Sequence, residues 1–142
     1  MSKLLLRLSD PKKSGVYRAS GVRDILDALR GSKLRVVRID LAGAAKEALL
    51  ERIARALDFP SWFGGNWDAL EDCLSDLSWS PADGHVLLIE GAPDSDERGI
   101  LIDVLAAVAA YWSERKRPFF AVFIGGAPAV RERLPELYRE GK

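Results

Sequence analysis

The chain has 142 residues, 48% hydrophobic and 30% charged, which suits one soluble domain with a real core. A single cysteine excludes an intramolecular disulfide and fits a reducing compartment, and no apolar run approaches the ~20 residues needed to span a bilayer. Basic and acidic side chains balance at 21 each, so only their distribution can speak about partners.

The first residues, Met-Ser-Lys-Leu-Leu-Leu-Arg-Leu-Ser-Asp-Pro, lack a signal peptide's apolar stretch and small-residue cleavage site, which gives the expectation of a cytoplasmic protein. Residues 3–8 read as a short strand. The turn-rich run from Asp10 to Gly15 then leads to a return strand at Val16-Tyr17-Arg18, forming a hairpin. Val22, Ile25, Leu26 and Leu29 mark an amphipathic helix between Gly21 and Arg30, ended by Gly31. Leu34 to Leu41 is rich in β-branched residues and predicts a strand. Ala44 to Leu57 predicts a helix, with Leu49, Leu50, Ile53 and Leu57 on its dry side.

Residues 59–79 organise the rest. Trp62 and Phe63 precede Gly64 and Gly65, and Asn66 is a good N-cap for the helix that follows. Asp68 falls where the helix dipole favours a carboxylate. Ala69, Leu70, Cys73, Leu74 and Leu77 recur at helical spacing as an apolar face, which predicts a helix carried on towards Trp79. Asp68, Glu71, Asp72, Ser75 and Asp76 fall on the other side, three and four residues apart.

After the turn at 81–84, His85 to Glu90 is a nearly continuous apolar strand, as expected when both faces are covered. Asp94-Ser95-Asp96-Glu97 opens a helix running through Val104 and Val108 to Trp112 and beyond, stopped by Pro118. Phe119 to Ile124 is the last strand. Residues 128–140 predict a short terminal helix with Val130, Leu134 and Leu137 as its apolar edge, interrupted at Pro135. Strands separated by helices argue for a small parallel sheet in an α/β fold.

The charge map is uneven. Ten carboxylates and no lysine or arginine lie between Asp58 and Glu97, so the remainder carries 21 basic against 11 acidic side chains. An acidic middle of this kind attracts and steers a basic partner. A solvated helix face is the plain alternative.

The run Trp-Phe-Gly-Gly-Asn-Trp-Asp-Ala-Leu-Glu-Asp-Cys-Leu at 62–74 resembles the signature of the barstar family, intracellular protein inhibitors of small secreted ribonucleases. The resemblance implies a three-stranded parallel sheet covered by helices over about residues 34–124, in a single domain 1–142. Residues 1–33 would form an N-terminal strand/helix extension and 125–142 a C-terminal one with a short helix. It also implies a monomer that binds a basic ribonuclease, or a toxin nuclease domain, one to one, with no nucleic acid or membrane bound.

By the same resemblance, Asp72 takes the place of the family's central helix carboxylate and Asp68 that of its upstream acid. Trp62 and Phe63 stand where the family has a pair of tyrosines, and Gly64 leaves room for close approach. Ser75 stands where the family has a small hydroxyl residue. Departures are visible as well. Glu71 and Gly65 replace larger or apolar residues, and Asp76 replaces a glycine. Tyr111 aligns where the family has a second acid, with Glu114 one turn on.

Other readings compete with that one. Trp62 and Phe63 could be core residues, Trp67 and Trp79 packing residues, Gly64 and Gly65 turn formers, and Asn66 a cap alone. Cys73 reads as buried filler. An acid–base enzyme using Asp68, Glu71 or Asp72 with His85 lacks a pocket, a phosphate cradle and a nucleophile elbow, so no catalytic residue is assigned. Soft ligands are too few for a metal, and no cofactor is expected. A direct nucleic-acid binder would use the basic first third, 13 lysines and arginines against six acids through Leu57, but these are scattered over helix and strand rather than clustered, and the aromatics sit in the acidic part. A barstar-like immunity or regulatory protein with another toxin or a non-nuclease partner is the remaining alternative.

Overall fold

Four parallel strands, β1 (Gly15–Ala19), β2 (Leu34–Asp40), β3 (Gly84–Glu90) and β4 (Phe119–Ile124), lie side by side in the order β1-β4-β3-β2. They belong to a computed structural model that describes residues 2–125 and 133–138. The named α-helices among the described residues are α1 (Lys3–Leu8), α2 (Arg23–Leu29), α3 (Lys46–Ala56), α4 (Trp67–Leu74) and α5 (Ser95–Glu114).

The strands sort their side chains by the two-residue period. Val37, Ile39, Leu87, Ile89, Phe119, Ala121 and Phe123 face one core, shared with α3, α4 and α5. Val86, Leu88, Phe120 and Val122 face the other, shared with α1 and α2. Burial on both faces explains why β3 and β4 read as unbroken apolar runs. The topology follows from crossover handedness. From β2 to β3 to β4 the chain steps one way across the sheet, so α3, α4 and α5 share a face. From β1 to β2 it steps the other way, so α2 covers the opposite face.

The N-terminal expectations are corrected in two places. Residues 3–8 are helical, not extended, because the run is rich in leucine without a β-branched residue, and the Ser2 hydroxyl oxygen caps it by accepting from the Leu5 amide at 3.0 Å. No hairpin forms either. β1 pairs in parallel with β4, Gly15 opposite Phe120 through Ala19 opposite Ile124. The sheet therefore has four strands, not three, the extra one supplied by the N-terminal extension.

The terminal helix is corrected from Leu134 on, Arg133 being helical. Residues 126–132 and 139–142 lie outside the described residues. Within 133–138, Glu136 bridges Arg18 in parallel: the Arg18 amide donates to the Pro135 carbonyl and the Leu137 amide to the Arg18 carbonyl, both at 2.9 Å. Pro135 disfavours helix at Leu134, and the outer edge of β1 offers unpaired backbone groups that this segment takes up.

One glycine fixes how β3 hands over to α5. Gly91 has φ +76, and a Cβ there would lie 2.6 Å from the Ala42 Cβ and 2.8 Å from its backbone nitrogen. Gly91→Ala is therefore expected to destabilise the fold by about 2 kcal/mol or more in urea unfolding. A loss too small to measure would mean that the Ala42 turn gives way freely.

Candidate functional site

The segment from α3 to β3 is braced by aromatics. Phe59 meets Phe63 edge-on at 5.0 Å between ring centres, and Trp79 at 5.9 Å. Trp62 meets Trp79 at 6.1 Å, and the Trp79 Nε1–H donates to the Leu57 carbonyl at 2.9 Å. Edge-to-face pairs contribute about 0.5–1.5 kcal/mol each beyond their burial. The predicted pair is split by this packing. Phe63 is half-buried against the core, whereas Trp62 is 60% exposed although one ring edge is held. Trp67 is half-buried against the same core.

Gly64 and Gly65 are exposed, and Gly65 has φ +69, so the second glycine makes the turn into the cap. Asn66 then accepts the Ala69 amide on Oδ1 at 2.7 Å. Asn66→Ala should cost about 1 kcal/mol of stability, and Asn66→Asp close to nothing, by denaturant titration. Equal losses would show that the side-chain amide does more than cap.

Leu70, Cys73 and Leu74 are buried under α4, and Leu77 just beyond it. The helix ends at Leu74, earlier than its apolar spacing predicts, with Leu77 in the left-handed region at φ +50. Asp76 thus projects from the closing turn and not from the helix. Ser75 is the half-buried C-cap, its amide donating to the Glu71 carbonyl at 2.9 Å. Asp68, Glu71, Asp72 and Asp76 are all exposed and make no ion pair among the described residues.

The acidic stretch divides in space. Asp58 pairs with Arg35 at 3.3 Å and Glu90 with Arg38 at 2.6 Å, so β2 arginines offset two of its charges. The α4 carboxylates keep theirs. Burial, and then the charges of Asp76 and Asp72, push the Cys73 thiol up, which holds it as an inert filler at neutral pH.

At the far end of α4 the Trp112 Nε1–H donates to the Leu74 carbonyl at 2.8 Å and tethers the last turn of α5. Tyr111 is half-buried, with the Arg115 guanidinium 3.5 Å over its ring, and Glu114 is exposed at the helix end. Sequence reading treated Trp112 as one more apolar position. Its indole donor could not be paired with a carbonyl 38 residues away on spacing alone.

His85 is buried, and its ring contacts Ser80 rather than any α4 carboxylate. Among the described residues, no three His, Cys, Asp or Glu side chains converge on a metal position, and no helix is long and apolar enough to cross a membrane. Some basic residues, scattered in sequence, do gather in space. Arg30, Lys33, Arg115, Lys116 and Arg117 line one cleft at the amino ends of the strands. Asp83 lines it too, Arg30 pairs with Asp27, Arg117 donates to the Ala82 carbonyl, and none of the lining residues is aromatic, so it offers no stacking platform.

A family model described as Barstar (barnase inhibitor) matches residues 34–124, more than half of the chain. No curated protein matches it.

Proposed function

The chain belongs to the barstar family, and we propose from that premise that it inhibits a basic ribonuclease by laying α4 and Trp62 over the enzyme's catalytic cleft. The family consists of inhibitors, not enzymes. One observation carries the reading: the α4 carboxylates are exposed without counter-ions among the described residues, directly after an exposed tryptophan on a braced loop. A ribonuclease presents arginine and lysine around the scissile phosphate, and protein carboxylates can occupy that place. Asp68, Glu71, Asp72 and Asp76 supply the charge, and Trp62 supplies a flat surface that takes the role of a base. Gly64 admits the partner's backbone, with Asn66 and Ser75 fixing the two ends of the helix.

The test is titration of a panel of small basic microbial ribonucleases at low salt with the purified protein. Stoichiometric loss of activity in one of them supports the reading. No loss in any of them moves the weight to an immunity or regulatory protein with a different partner. One feature favours that second reading. Arg115 lies over Tyr111, the residue that aligns with the family's second acid, so a cation stands at that position, with Glu114 one turn on.

A further inference from the structure

We infer that Arg35 is a positioning residue for the recognition segment, clasping the chain where that segment leaves the fold and where it returns. This rests on the reading of residues 59–79 as the surface that meets the partner. Asp58 stands immediately before that stretch and Ser80 immediately after it. One guanidinium holds both: Arg35 Nη2 lies 3.3 Å from Asp58 Oδ2, and Arg35 Nη1 donates to Ser80 Oγ. Ser80 in turn bonds His85 Nε2 at 3.0 Å. Arg35 and His85 are direct register partners on β2 and β3, so the clasp is anchored in the sheet.

Two features show that the ends of the segment need holding. Asp58 at φ +54 and Leu77 at φ +50 are non-glycine residues in the left-handed region, a conformation that costs on the order of 1 kcal/mol each and persists only when surrounding contacts impose it. Trp79, next to Ser80, is the ring on which exposed Trp62 leans. Fixing Ser80 therefore fixes Trp79, and through it the ring offered to the partner. An arginine suits the task because its planar fork can donate in two directions at once, which a lysine ammonium on a flexible stem does poorly. A segment ordered before contact avoids the entropic cost of ordering on binding.

The experiment compares wild type with Arg35→Met, Arg35→Lys and Ser80→Ala by amide hydrogen exchange on the free protein. Arg35→Met is expected to speed exchange across the slow amides of 59–79 about tenfold or more, leaving β3, β4 and the middle of α5 unchanged. Arg35→Lys should recover part of that protection, and Ser80→Ala should lose only the Trp79 side. Unchanged exchange in 59–79, or an equal rise throughout the chain, overturns the clasp. Ser80→Ala decides the matter if Arg35→Met fails to fold. Against a ribonuclease that wild type inhibits, Arg35→Met should also weaken inhibition about tenfold with Trp62 and Asp72 intact. Loosened exchange with undiminished inhibition would overturn the positioning role. Inhibition of no ribonuclease by wild type counts against the proposed function, and the exchange result still decides the clasp.

Discussion

Asp72→Ala is expected to weaken the inhibitory complex by about 3 kcal/mol, on the order of a hundredfold in Kd, while leaving the free protein as stable as before. The position explains both halves. Asp72 is four residues from Asp68 and from Asp76, at the middle of the exposed side of α4, and has no ion-pair partner among the described residues. Removing it breaks nothing inside the fold and relieves like-charge repulsion, worth about 0.2–0.5 kcal/mol per helical pair. In the complex the same carboxylate would be dehydrated against arginine or lysine, and its loss would leave those cations unpaired. The size is borrowed, not independent, because the top of the hot-spot range is set by the barnase–barstar pair itself. Inhibition assays and urea unfolding on the same preparations check it. Unchanged affinity would remove Asp72 from the centre of the interface. A large fall in stability would make it a structural residue.

Much of the central part of the chain was legible because its signals are local. The β2, β3 and β4 runs, the α3 and α5 periodicities and the Asn66 cap each lie within a few residues of sequence, and each was found where expected. What was missed depends on distant partners. Leu4, Leu5 and Leu8 were read as a strand although leucine without β-branched neighbours favours helix, and packing on the α2 side secures the helix that Ser2 caps. Val16 to Arg18 carried the right state but the wrong neighbour, since a nearby turn suggests a hairpin whereas β4 lies more than a hundred residues on. The early end of α4 also escaped the spacing, because Leu77 stays on the dry side by leaving the helix through a left-handed turn.

The candidate surface was legible in its charges and not in its bracing. Four of its carboxylates came from helical spacing, and Trp62 from the resemblance to the barstar family. The separate fates of Trp62 and Phe63 came from Phe59 and Trp79, which turn one ring inward and prop the other. Net charge along the sequence also overstated the acidic field, since Arg35 and Arg38 approach Asp58 and Glu90 only once β2 is in place. Of the charges that remain, Asp68, Glu71, Asp72 and Asp76 stand together on α4 and its closing turn, and Asp83, Asp94, Asp96 and Glu97 lie outside it.

The stability advantage of wild type over His85→Gln is expected to fall by about 3 kcal/mol as pH drops from about 6.5 to about 4. Burial lowers the His85 pKa to about 4, helped by the neighbouring cations Arg35 and Arg117 and resisted by a hydrogen bond to the Ser80 backbone. Arg35 donates to Ser80 Oγ, and the same hydroxyl lies 3.0 Å from Nε2, where a neutral ring can accept its proton. Protonating Nε2 would remove that acceptor and bring a charge towards Arg35. The unfolded chain takes up its proton near the ordinary value of 6.5, the folded chain only near 4, so between them the unfolded state binds more protons. The stabilisation is therefore complete above about pH 6.5, declines as pH falls, and is spent near pH 4. Urea unfolding of both proteins in the same buffers isolates the effect, because their shared carboxylates cancel in the difference. An equal slope in His85→Gln would mean that the ring is not the group being titrated. If the difference falls as expected and residues 59–79 are less protected at pH 4.5 than at pH 7, relative to the intrinsic exchange rate at each pH, in wild type alone, the ring that anchors Ser80 also sets the pH range over which the binding segment stays ordered.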